Sequence, residues 1–214
     1  MTSAEITSRY QSVIRRSFAR HMDLFLTAQF LRSSNQDLSQ VSEREYETFQ
    51  ATPEDWARYL ESHQAKSLTS SFGNSSTVQA LDENIKSWWK NLGDSKAKYR
   101  DIHSRRFGIP SAQFKALFIS DSELACAYCQ ITDAQFKTLI DARQIQTKRL
   151  RTRGSTFEID CREPHLGYTI NNLAICCYWC NNAKTDEFTE DEFRPVAEAL
   201  GRVWQQRLSA LSAT

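Results

Sequence analysis

The sequence predicts a mainly helical protein with a small α+β unit toward its C-terminal end. Apolar residues recur at helical spacing through residues 1–120. Beyond Ser120, short apolar runs bounded by turn residues suit two strands. Two C-x-x-C pairs, Cys126/Cys129 and Cys177/Cys180, enclose those runs.

The first helix is read from Ile6, Tyr10, Val13, Ile14, Phe18 and Phe25. The next carries its own start signal: Thr52 as N-cap, Pro53 in the first turn and Asp55 as the early acid, with Trp56, Tyr59 and Leu60 as the apolar face. A Ser-rich loop, Ser67 to Ser76, separates it from a helix over Val78 to Asn91 that bears Trp88 and Trp89 and stops near Gly93. Lys96 to Phe107 forms a basic patch with interleaved Tyr and Phe, a backbone-contacting surface or an ordinary exposed face. Ser111 caps a short helix with Phe114, Leu117 and Phe118.

The capping box Thr132/Gln135 opens a helix with Phe136, Leu139 and Ile140 on one face. Arg143, Lys148, Arg149, Arg151 and Arg153 follow, with no acidic residue from Gln144 to Phe157. This is the best nucleic-acid footprint in the chain, against the plainer reading of a solvated loop. "TFEID" suits a strand and "YTINNLAICC" a second one. Thr189/Glu192 is another capping box, and Pro195 is expected to open the last helix, with Val196, Leu200, Val203, Leu208 and Leu211 toward the core.

The 214 residues allow one large domain or two small ones. Lys and Arg number 27 against 26 Asp and Glu, so global charge announces no nucleic-acid partner. A hydrophobic fraction of 40% and five Trp support a folded core. No apolar run approaches the ~20 residues that span a bilayer, so no membrane role is expected. The N-terminus has no apolar stretch behind a basic start, which points to a cytoplasmic, reducing setting. There, close cysteine pairs are metal ligands before they are disulfides.

Each C-x-x-C aims two sulfurs at one point, so Cys126, Cys129, Cys177 and Cys180 together fit one structural Zn²⁺. The plainer alternative is four buried small residues. Cys176, beside a ligand pair, should face the core.

The pieces "CAYC", "FEID", "GYTINNLAICCYWCNNAK" and "TDEF" resemble the HNH endonuclease family, the ββα-metal nucleases, in the branch with a four-cysteine zinc clip. The resemblance covers roughly Cys126 to Phe193, about a third of the chain. It implies a helical region, 1–120, for partner or substrate binding, then an HNH-like ββα-metal domain, 121–214, with structural zinc and a C-terminal helix. It also implies hydrolysis of phosphodiester bonds, most plausibly in DNA, with Mg²⁺ or Mn²⁺ as catalytic metal. Compact proteins similar to this one serve in bacterial phage defence, some beside an ATPase subunit.

Carried over by resemblance, Asp160 binds the catalytic metal with help from Asn181, Asn172 orients the base, and Lys184 contacts phosphate. The family's usual His after that Asp is here Cys161. Glu163 and Pro164 match a branch that also lacks it. His165, four residues on, is one substitute base. Glu163 is the other, as base or as second carboxylate on the metal. A catalytic thiol at Cys161 is not expected, because a thiolate is a poor ligand for Mg²⁺. Asn172 has a second reading as a residue that bonds loop backbone. Cys161 in the His position also motivates another class of function: a non-catalytic zinc-stabilised module that binds nucleic acid or a protein.

Overall fold

The computed structural model describes residues 2–33, 37–67, 75–119, 123–146 and 157–212, with the side chains of 63–67 and 75–76 outside that description. The chain divides into two compact units, residues 14–107 and residues 1–13 with 108–214.

The first unit is helical. It is built from α1 (Ser3–Arg32), whose first residues belong to the other unit, with α2 (Glu43–Thr48), α3 (Pro53–Ser67), α4 (Ser75–Asn91) and α5 (Ser95–Arg106). The expected start of α3 is present: Asp55 N–H donates to Thr52 Oγ1 at 3.2 Å and Thr52 N–H returns to Asp55 Oδ2 at 2.8 Å. Arg32 then pairs with both oxygens of Asp55 at 2.6 Å, tying α1 to α3. The core gathers Phe18, Met22, Phe25 and Phe30 of α1 around Tyr46, Leu81, Tyr99 and Ile102.

The basic patch of α5 is largely spent inside this unit. Arg106 donates to the carbonyls of Tyr46 and Phe49, Lys98 pairs with Glu43, and Arg105 pairs with Asp101 and Glu47. Lys96 and Arg100 lie over the rings of Trp89 and Phe18. A cleft of about 1210 Å³ lies among α2, α4 and α5, with Trp88 and Tyr99 among its walls.

The second unit holds α6 (Ser111–Ala116), α7 (Asp133–Asp141), β1 (Phe157–Cys161), β2 (Leu173–Cys177), α8 (Tyr178–Lys184) and α9 (Glu190–Ser212). Ser111 is the first helical residue of α6 rather than its cap, because Pro110 supplies the carbonyl that Phe114 N–H reaches at 3.0 Å. The capping box of α7 is formed by Thr132 and Gln135. The strands pair antiparallel from Phe157 with Cys177 to Cys161 with Leu173. β2 begins later than the sequence suggests: residues 170–172 form a 3₁₀ turn ahead of it.

Thr189 and Glu192 cap α9, and Pro195 lies inside the helix rather than opening it. The core stripe of α9 is Phe193, Ala197, Leu200, Trp204, Leu208 and Leu211. Val196 and Val203 sit about 100° around from that stripe and are 46% and 39% exposed, so the expectation that they face the core is corrected. Among the described residues no helix is long and apolar enough to cross a membrane.

The helical unit contains a buried polar chain. His21 Nδ1 meets Tyr46 Oη at 3.2 Å, Tyr46 Oη meets His103 Nδ1 at 3.1 Å, and His103 Nε2 meets Ser17 Oγ at 3.1 Å. Burial, with Arg106 close by, lowers both histidines from 6.5 to about 4. The unfolded chain therefore binds protons that the folded chain refuses. Their contribution is full above pH 6.5 and is lost as pH falls from 6.5 toward about 4. Denaturant unfolding across that window should show a falling midpoint, and His103→Gln should make the fall shallower.

Candidate active site

The site is built on the ββα unit of β1, β2 and α8. Strand alternation places Glu158 and Asp160 on one face of β1, opposite Cys176 and Ala174 of β2. Helix α8 covers that face and answers each carboxylate in turn. Asn181 Nδ2 donates to Glu158 Oε2, and one helical turn later Lys184 Nζ lies 3.1 Å from Asp160 Oδ2. Strand and helix contacts follow the same chain order, so α8 runs along β1. Lys184 Nζ also donates to the Cys161 carbonyl at 2.8 Å.

Asp160 is 8% exposed. Burial raises its carboxyl above the usual range; hydrogen bonding from Tyr128 and the Lys184 charge pull it back down. Tyr128 Oη donates to Asp160 Oδ2 at 2.6 Å, the same oxygen that Lys184 approaches. The same burial, with the Asp160 charge at the phenol, pushes Tyr128 up, so it stays a donor.

The same unit carries the four-cysteine clip. The Sγ atoms of Cys126, Cys129, Cys177 and Cys180 lie within 4.8 Å of one another, and all four residues are buried. Cys129 Sγ and Cys177 Sγ are 3.7 Å apart. A tetrahedral ion with bonds of about 2.3 Å needs sulfurs roughly 3.8 Å apart, so the cluster fits a single ion. Each C-x-x-C is a tight turn in which the second cysteine's N–H points at the first sulfur, at 3.5 Å in both pairs. Gln130, with φ 62°, turns the chain after the first pair. Ala127 N–H then donates to the Ile175 carbonyl at 2.8 Å, fixing this knuckle to β2. Gly201 of α9 lies against it too: a Cβ there would stand 2.8 Å from the Cys129 carbonyl oxygen. Hydrogen bonding from Cys129, Cys177 and Cys180 lowers the Cys126 thiol, and sharing with Cys126 and Cys129 raises Cys177 and Cys180. Cys176 faces the core, as expected.

The remaining expected residues fall into three groups. Asn172 ends the 3₁₀ turn before β2 and is buried. Its Nδ2 donates to the carbonyls of Glu163 at 2.8 Å and Gly167 at 2.7 Å, and its Oδ1 accepts from Glu163 N–H at 2.9 Å. These bonds match the second reading of Asn172, a residue that bonds loop backbone. His165 is exposed on the turn Pro164–Leu166 inside that loop. Among the described residues no hydrogen bond or ion pair ties it to Asp160, Asn172 or Asn181. Lys184, expected at phosphate, is 0% exposed, and its ammonium holds Asp160 instead. Lys148, Arg149, Arg151 and Arg153 lie outside the described residues.

Two residues of the site were not singled out from the sequence. Glu158 had a readable signal, since two carboxylates alternate in an otherwise apolar strand. Tyr128 had none, because only the fold brings the first knuckle to β1.

No family model matches the chain, and no curated protein matches it. Among solved structures, the chain is similar to PacI, described as a rare-cutting HNH restriction endonuclease that perturbs DNA. The identity is 23%, over 56% of this chain and 78% of that one, with a TM-score of 0.38. A likeness of that size defines no function for this chain.

Cys180→Ser should abolish tight binding of the clip ion and unfold the ββα unit, read by metal content and circular dichroism on the same sample. Lys184→Met should destabilise the protein by about 3 kcal/mol, because it leaves a buried carboxylate without its cation. Urea unfolding at neutral pH measures this.

Proposed function

We propose that this chain is a metal-dependent nuclease of HNH type that hydrolyses phosphodiester bonds in DNA. The observation that carries the reading is the buried Asp160, held by Tyr128 and Lys184 on a ββα face with Glu158 and Asn181 beside it. A carboxylate in this position is costly to bury and finds its use in holding a cation. The motifs around it, from "FEID" to "NNAK", support the same reading.

Asp160 and Asn181 are the residues assigned to hold Mg²⁺ or Mn²⁺, both offering hard oxygen ligands. Asn181 spends its Nδ2 on Glu158, which directs its oxygen end elsewhere. The ion, when bound, supplies charge neutralisation on the phosphate. His165 is assigned as the group that takes the water proton, on a loop that Asn172 fastens on both sides. Glu163, in the same loop, is the competing base. Cys126, Cys129, Cys177 and Cys180 are assigned a structural Zn²⁺, which closed four-thiolate sites favour. The segment Lys148, Arg149, Arg151 and Arg153 is assigned to the nucleic-acid backbone, contacts that carry little base specificity. The cleft among α2, α4 and α5 suits the partner- or substrate-binding role of the helical region.

Cys161 in the family's His position favours a second reading: a binding module that retains the scaffold without the reaction. Supercoiled plasmid incubated with the protein and Mg²⁺ or Mn²⁺ decides between them. Wild type should nick or linearise the plasmid and Asp160→Ala should leave it intact. Loss of about a hundredfold in His165→Ala, with Glu163→Gln nearer wild type, would identify the base. Equal inertness of wild type and Asp160→Ala in both metals sinks the enzyme reading.

A further inference from the structure

We propose that Tyr128 is a positioning residue for Asp160, transmitting the rigidity of the metal clip to the catalytic carboxylate. This inference rests on the nuclease reading above and adds a residue to it.

Tyr128 lies between two clip ligands, Cys126 and Cys129, so its backbone is fixed wherever the clip is fixed. Two further contacts hold that knuckle. Ala127 N–H reaches the Ile175 carbonyl of β2 at 2.8 Å, and Gly201 lets the α9 backbone lie against the Cys129 carbonyl. The ring is buried and meets Phe193 edge-on, with centroids 5.6 Å apart and planes at 85°. A tyrosine so held has two side-chain torsions and both are set by packing. Its hydroxyl is therefore delivered to one place, 2.6 Å from Asp160 Oδ2.

Lys184 approaches that same oxygen at 3.1 Å from the opposite element, α8. A lysine ammonium alone is a poor guide to orientation, because it is a point charge on a flexible stem. The tyrosine hydroxyl adds the direction. With Oδ2 pinned by both donors, the carboxylate plane is set and Oδ1 is the oxygen presented to a cation. A catalytic ligand misplaced by a fraction of an ångström loses rate without losing substrate affinity. Tyr128→Phe keeps the ring against Phe193 and removes the hydroxyl alone.

The test uses the full chain with its clip metal in place, comparing wild type, Tyr128→Phe and Asp160→Ala. Three quantities are read: clip metal content, kcat and KM on supercoiled plasmid, and the affinity for added Mn²⁺ by titration calorimetry. Tyr128→Phe should retain the clip metal and the KM for plasmid. Its kcat should fall by about tenfold to a hundredfold, as the loss of one hydrogen bond to a charged group implies. Its Mn²⁺ affinity should weaken by about tenfold. Wild-type kcat and Mn²⁺ affinity in Tyr128→Phe, beside an inactive Asp160→Ala, overturn the positioning role and leave the nuclease reading standing. Loss of clip metal in Tyr128→Phe also overturns it, since the hydroxyl would then serve the knuckle. If wild type and Asp160→Ala are equally inactive, the nuclease reading falls. The Mn²⁺ titration then decides for Tyr128 by itself: a drop in Tyr128→Phe supports the positioning role, and no drop overturns it.

Discussion

The ββα unit depends on four sulfurs from two distant stretches of chain meeting in one buried cluster. The sheet it closes has two strands of five residues each, too little to stand in water without help. Packing alone gives this unit a modest core, with Phe136, Phe157, Phe193 and Trp204 around the cysteines. A metal ion held by the cluster would convert that arrangement into a closed one, because binding free energy at such a site is folding free energy. Much of the local chemistry follows from the clip's position. Gly201 is where the last helix must pass the Cys129 carbonyl, and Tyr128 is where the first knuckle meets β1.

A second constraint acts on the covered face of β1. Glu158 and Asp160 are each less than a tenth exposed, and a buried carboxylate needs a partner or it costs several kcal/mol. The partners come from one helix at matching intervals, Asn181 for the first and Lys184 for the second. With Tyr128 of the first knuckle, three donors thus serve two acids on one strand. A buried lysine is a poor phosphate ligand but a good counter-charge, and Lys184 serves Asp160 as one.

Several elements were legible because they depend on near neighbours. The capping boxes at Thr132 and Thr189 and the Thr52–Pro53 start are bonds between residues three apart, so the sequence displays both partners. Apolar spacing located most helices for the same reason. Pro195 misled as a helix opener, because the signal at Thr189 is upstream and the helix tolerates a proline in its second turn. The two valines of α9 misled because apolar content does not say which of two adjacent stripes the core will take. Asn172 was placed on the second strand, whereas the backbone turns there and its amide is consumed by the loop.

The sequence by itself determined the helical character, the tight turn of each cysteine pair and the strand that carries Asp160, since each rests on spacing within a short stretch. Only the tertiary structure decided which groups surround that carboxylate. Tyr128, Lys184 and Glu158 acquire their roles from contacts between the first knuckle, α8 and β1. Those contacts are set by how a strand face, a helix and a knuckle pack together, a geometry that no single stretch of residues encodes.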